Sequence, residues 1–213
     1  MKYLLTFLLV FYAIDSFAQT KLYLHPDAKQ YAINTKTIAI LPLEVQVKLR
    51  PKQLKDFTSD QIIKMEKDEA LDIQKAMHTW FLTRKKRGDF IGNIQTPLKT
   101  NALLKKAGLD VHDLIEHLPS DLGKILGVDC VVMGTFETSK PMSAAAGIAI
   151  GVLLGGFGAT SSAVCNLDFY DTRDDELVVN YFKKVKGGLG SDAQDLINVL
   201  MRKITRRIPY TGR

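Results

Sequence analysis

The chain has 213 residues, 46% of them hydrophobic and 24% charged, with a formal net charge of +6. This is enough apolar material for a core, which excludes a disordered chain, and the length fits one domain. Two cysteines and four histidines exclude a disulfide scaffold and leave little for an elaborate metal site.

The N-terminal residues read as a secretory signal peptide. Lys2 supplies the positive start, Tyr3 to Ile14 is nearly all apolar, and Ser16-Phe17-Ala18 offers small residues for cleavage before Gln19. No cysteine follows the apolar run, so the exported protein is expected without a lipid anchor. Residues 1–18 are then leader and residues 19–213 a single α/β domain. Export places that domain in the periplasm or at the outer membrane.

Thr37 to Val47 reads TIAILPLEVQV, whose unbroken apolar start predicts a central strand ending at Pro42. A long helix follows, opened by a capping box of Thr58 and Gln61. Ala70, Ile73, Met77, Trp80 and Phe81 form its buried stripe, and Gly88 stops it. Arg84, Lys85, Lys86 and Arg87 crowd its C-terminal end. Phe90 to Gln95 predicts a short strand.

Three short helices come next. One is opened by Pro97 or Thr100 and closed by Gly108, one is capped by Asp110, and one starts at Ser120 or Asp121 and ends at Gly127. Val128 to Thr138 predicts a second strong strand. Ala163, Cys165, Leu167 and Phe169 alternate with more polar neighbours, and the turn Asp171-Thr172-Arg173-Asp174-Asp175 joins them in a hairpin to Leu177–Val185. The last helix has Ser191 and Gln194 as a capping box, an apolar face of Leu196, Ile197, Leu200 and Ile204, and basic residues including Arg202 and Arg206 before Pro209. The order predicts an α/β fold of the α+β kind, a mixed sheet with packed helices. In an antiparallel pairing of the two cysteine strands, Cys165 falls opposite a residue near Thr135, too far from Cys130 for a disulfide.

Between Lys140 and Asp168 no residue is charged for 27 positions. Within this apolar insertion, taken as residues 141–162, Gly147, Gly151 and Gly155 recur at four-residue spacing as a ridge for close backbone approach. Three readings stand side by side: a membrane-spanning helix, a self-associating or membrane-inserting element, and an apolar element packed on its own domain.

Sites of chemistry are sparse. There is no phosphate loop and no nucleophile elbow. His112 and His117 stand five apart, off the i, i+4 spacing of a zinc-binding helix, and read as solvated side chains. Gly187 to Ser191 reads as a turn, and the acidic residues from Asp171 to Glu176 lack calcium-loop spacing. The expectation is a non-enzyme with no cofactor or metal. Export and the lack of interleaved aromatics argue against nucleic acid as a partner for the basic helix ends, and favour anionic lipid, glycan or an acidic protein face.

The strand IAILPL, the helix TNALLKKAGL, the run DLIEHLPSDLGKILGVDCVVMGTF and the hairpin and helix from Cys165 to Ile208 together resemble a bacterial envelope group. That group includes TolB amino-terminal domains, CsgG-like curli secretion proteins and LpoB-like activators of penicillin-binding proteins. The shared features are Leu126-Gly127-Val128-Asp129 leading to a strand with Gly134, and the D-x-R turn. The resemblance implies a non-catalytic domain, often oligomeric and at the outer membrane, acting by protein contact or self-assembly in secretion or envelope maintenance. The expected contact surfaces are the Gly147/Gly151/Gly155 ridge and the basic helix ends at Arg84–Arg87, Arg202 and Arg206. The alternative is a membrane-inserted oligomeric pore or channel component that uses residues 141–162.

Overall fold

The computed structural model describes residues 20–49, 51–90, 92–139, 162–186 and 193–211. The leader, the glycine ridge and the Ser191 cap lie outside these residues.

Seven strands form one mixed sheet: β1 (Thr20–Leu24), β2 (Thr37–Ile40), β3 (Glu44–Val47), β4 (Asn93–Ile94), β5 (Cys130–Thr138), β6 (Ser162–Asp171) and β7 (Leu177–Lys186). Their order is β1-β7-β6-β5-β2-β4, with β3 also on β5. The predicted strand at TIAILPLEVQV becomes two collinear strands, β2 and β3, both parallel to β5. Ile40 lies opposite Val132 and Glu44 opposite Thr135, so the first strand spends one residue more than its partner around Pro42. Proline has no N–H for the ladder, and a bulge absorbs it.

Six α-helices are described: α1 (Ala28–Asn34), α2 (Pro51–Leu54), α3 (Ser59–Lys86), α4 (Pro97–Lys106), α5 (Pro119–Leu126) and α6 (Ala193–Ile204). A 3-10 helix spans Val111–Glu116, capped by Asp110. Thr58 and Gln61 form the capping box of α3 as the sequence indicates. Thr96 caps α4, with Pro97 in its first turn, which decides between the two starts. The α5 helix begins one residue earlier than expected, at Pro119, and ends on left-handed Gly127.

The sheet carries apolar layers on both faces. On one face Ile38, Ile40, Val132, Phe136, Leu167 and Tyr181 belong to a core with Ile73, Met77 and Phe81 of α3 and Ile197, Leu200 and Ile204 of α6. On the other face Ala39, Leu41, Val131 and Met133 pack with Leu104, Leu114, Leu122 and Leu126. This second layer sits over β2 and β5. Farther along that face Thr135, Lys184, Lys21 and Tyr23 are exposed.

Some elements differ from expectation. β1, α1 and α2 carry no sequence assignment, and the strand expected at Phe90–Gln95 shrinks to Asn93–Ile94. Phe90 is buried against Phe81 at 5.2 Å, so it anchors the core and not the ladder, and the Thr96 cap ends the strand. Ser162, placed at the end of the insertion by sequence, is the first residue of β6. Cys165 faces Phe136, and both cysteines are buried and free.

Candidate functional site

The β5–β6 ladder is the backbone of the site. It runs from Cys130 opposite Asp171 to Thr138 opposite Ala163. Past its last rung, Ser139 N–H donates to Ser162 O at 3.2 Å and Ser162 N–H donates to Ser139 Oγ at 3.0 Å. The two residues that flank positions 140–161 are therefore held side by side. The ridge glycines Gly147, Gly151 and Gly155 lie outside the described residues.

The other end of the ladder is tied by carboxylates. Asp129 Oδ2 accepts N–H bonds from Lys36 at 3.0 Å and Thr37 at 2.9 Å, which locks the starts of β2 and β5 together. Asp171 is fully buried and paired to Arg173 through its Nε and Nη2. Asp174 accepts the Tyr31 hydroxyl at 2.9 Å, a bond that pushes the phenol up to about 12. Asp175 accepts the Ser120 N–H. The acidic turn thus binds α1 and α5 to the hairpin, a structural use of charge. Among the described residues no group of three or more His, Cys, Asp or Glu is placed to hold a metal.

The basic helix end is less available than its sequence suggests. Arg84 is buried, pairs with Asp89 at 3.3 Å and lies 5.6 Å from the Trp80 ring centre, so it is a core cation and not part of an open patch. Lys85 donates to Asn93 Oδ1 at 2.6 Å. Lys86 and Arg87 are exposed, as are Arg202 and Arg206 on the other helix end. Trp80 Nε1–H donates to Asn198 Oδ1 at 3.0 Å and joins α3 to α6. The expectation for His112 as solvated also changes, because its Nε2 is enclosed without a hydrogen-bond partner.

No family model and no curated protein matches the chain. Solved structures similar to the chain include three envelope proteins. A PelC dodecamer from Paraburkholderia phytofirmans shares 10% identity, with 92% of this chain and 99% of that chain covered and a TM-score of 0.44. Lipoprotein GNA1162 from Neisseria meningitidis shares 11% identity, with 81% and 97% covered and a TM-score of 0.47. The LpoB C-terminal domain from Salmonella enterica shares 7% identity, with 70% and 82% covered and a TM-score of 0.31.

Two features escaped the sequence reading. On the open sheet face, Asn180 Nδ2 donates to Asn166 Oδ1 at 2.9 Å and to Asp168 Oδ1, and burial raises the Asp168 carboxyl. Register brings these residues together across β6 and β7, which no local spacing reports. The second feature is a trough between α3 and α4, lined by His78 and Leu98. Its one sequence trace is that α4, PLKTNALLKK, has three lysines and no acid.

Proposed function

We propose that the chain is an exported, non-catalytic protein of the bacterial cell envelope. It acts by contact with other envelope proteins or with its own copies, in outer-membrane secretion or envelope maintenance. The observation that carries this reading is the hydrogen-bonded closure of Ser139 on Ser162. That closure completes the β5–β6 hairpin as a short turn would. The uncharged stretch beyond it is then surplus to the ladder, and a long insertion between closed ends costs little in loop entropy. The proposal takes this apolar run as exposed, and an exposed apolar patch marks a contact surface. The motif resemblance to the TolB, CsgG and LpoB group supports the same role. The exposed cations Lys86, Arg87, Arg202 and Arg206 are proposed as a second contact region.

A membrane-inserted oligomeric pore is the second reading, and the same closure favours it over a single crossing. The 22 residues from 140 to 161 are flanked by the adjacent Ser139 and Ser162. Transmembrane strands need about 9–11 residues each, so the length suffices for a hairpin.

The test replaces residues 141–161 with a short glycine turn in the mature chain. Melting temperature should be unchanged, while crosslinked species in envelopes and oligomers in light scattering should be lost. Retention of the full crosslinking pattern and oligomeric state would sink the first reading. Flotation with phospholipid vesicles separates the second: binding that the deletion removes supports insertion, and equal flotation of both proteins refutes it.

A further inference from the structure

Helices α3 and α4 lie against each other and leave a groove of about 610 Å³. One wall is Lys75, His78 and Thr79, one face of α3; the other includes Pro97, Leu98 and Ala102 of α4. Asn101 and Lys105 line this groove and also a second hollow of about 360 Å³ that reaches Leu109 and Leu114. The two make one trough. Its base is rigid, because Gln74 and Asn101 exchange amide hydrogen bonds at 3.0 and 2.9 Å and Gln74 also donates to Ile40 O at 2.8 Å.

Three features of the trough lack an internal explanation. Leu98 is 83% exposed at the rim, although Thr96 and Pro97 already start the helix and Thr100 and Leu104 supply its buried contacts. Leu82, 45% exposed, continues the α3 face one turn past His78. His78 Nε2 is enclosed with no hydrogen-bond partner among the described residues.

The charge that remains is positive. Four lysines and two aspartates line the trough; Lys64 pairs with Asp68 and Lys67 with Asp110 at 2.8 Å each, and Lys75 pairs with Asp72 beside the trough at 3.1 Å. Lys105 takes part in none of the ion pairs among the described residues.

We propose that this trough docks an acidic amphipathic helix of a partner protein, with Leu98 as the apolar contact and Lys105 as the cation that meets its carboxylates. A small molecule would be enclosed by its pocket, and Leu98 stands outside any such enclosure. A second copy using the same face would bring no acidic group free to meet Lys105. A lipid surface suits a convex face, and this one is concave. The site is independent of the uncharged stretch, so it survives if that stretch has another role.

The probes are two labelled helical peptides, one with leucines along one face and glutamates elsewhere, the other with lysines in place of the glutamates. Binding to the mature chain is followed by fluorescence anisotropy. The glutamate peptide should bind at least about tenfold more tightly than the lysine peptide. Leu98→Ser should weaken it about tenfold, and Lys105→Glu should erase the preference between the two. Both variants alter exposed side chains, and an unchanged melting curve verifies their fold. Equal affinity of the peptides, no binding of either, or indifference to both substitutions would overturn the proposal. So would binding to phosphatidylglycerol vesicles, or self-association, that Leu98→Ser abolishes.

Discussion

Gly134→Ala is the most demanding test of the ladder that underlies the site. Gly134 lies in the middle of β5, opposite Leu167, with φ +146°. A Cβ there would stand 2.0 Å from the carbonyl oxygen of Asn166 and 3.1 Å from Leu167 Cα. Both atoms are backbone of the neighbouring strand, so the two central strands must move apart. Left-handed strain costs about 1–3 kcal/mol, and overpacking a rigid contact costs about 1–3 more. A total of about 4 kcal/mol is a large share of the roughly 5–15 kcal/mol that holds a domain together. For a chain of this size it lowers the melting temperature by roughly 8–16 °C. Gly108→Ala is the matched control. Its φ is +77° but no atom lies within 4 Å of the new carbon, so only the conformational cost of about 1–2 kcal/mol applies. Urea unfolding of residues 19–213, followed by circular dichroism, measures both. If Gly134→Ala costs no more than Gly108→Ala, the close approach of β5 and β6 is not what the geometry indicates.

Three further outcomes follow from buried groups. Burial pushes the Cys130 and Cys165 thiols up to about 12, so iodoacetamide at pH 8 without reductant should leave the native chain unmodified and label both residues in urea; a mass showing no labelling in urea would mean a disulfide. Because the fold binds these thiol protons more tightly than the unfolded chain, stability should be level below pH 9 and fall as pH rises toward 12, with Tyr181, also pushed up to about 12 by burial, adding to the slope. A urea midpoint that is flat from pH 8 to 11 would contradict that sign. Asp171→Asn removes the charge from a fully buried carboxylate that holds Arg173, and should cost about 2–3 kcal/mol, with strong coupling to Arg173→Ala in a double-mutant cycle; a loss below about 0.5 kcal/mol would count against the pair as a structural tie.

The parts of the fold that were legible in sequence are those whose signal is local. Thr58 and Gln61 satisfy each other within one turn, and Ala163 to Phe169 alternate because one face of β6 is buried. β1 has no such signal, since TKLYL acquires meaning only by pairing with Lys183 to Val179, more than 150 residues away. The α1 helix has no side-chain cap at Asp27, and its buried face is two alanines. Arg84 misled for a related reason. Its place in a basic run suits a helix end, but its surroundings are set by Trp80 one turn back and Asp89 beyond the cap. The α3/α4 trough belongs to neither helix alone, so periodicity could not report it.

The two ends of the β5–β6 ladder use opposite chemistry. At the Asp129 and Asp171 end, carboxylates bind the starts of two strands, the hairpin turn and two helices. Nine paired residues farther on, at about 3.3 Å each, the chain closes on two serines, and after Lys140 it has no charge until Asp168. Charges that satisfy backbone donors are expensive to remove, because the donors are left without partners. The conspicuous acidic motif is therefore where substitution damages the fold. If the uncharged stretch is the contact surface proposed above, its replacement should do the reverse, and a chain that keeps its melting temperature while losing its assemblies is the signature that distinguishes the two.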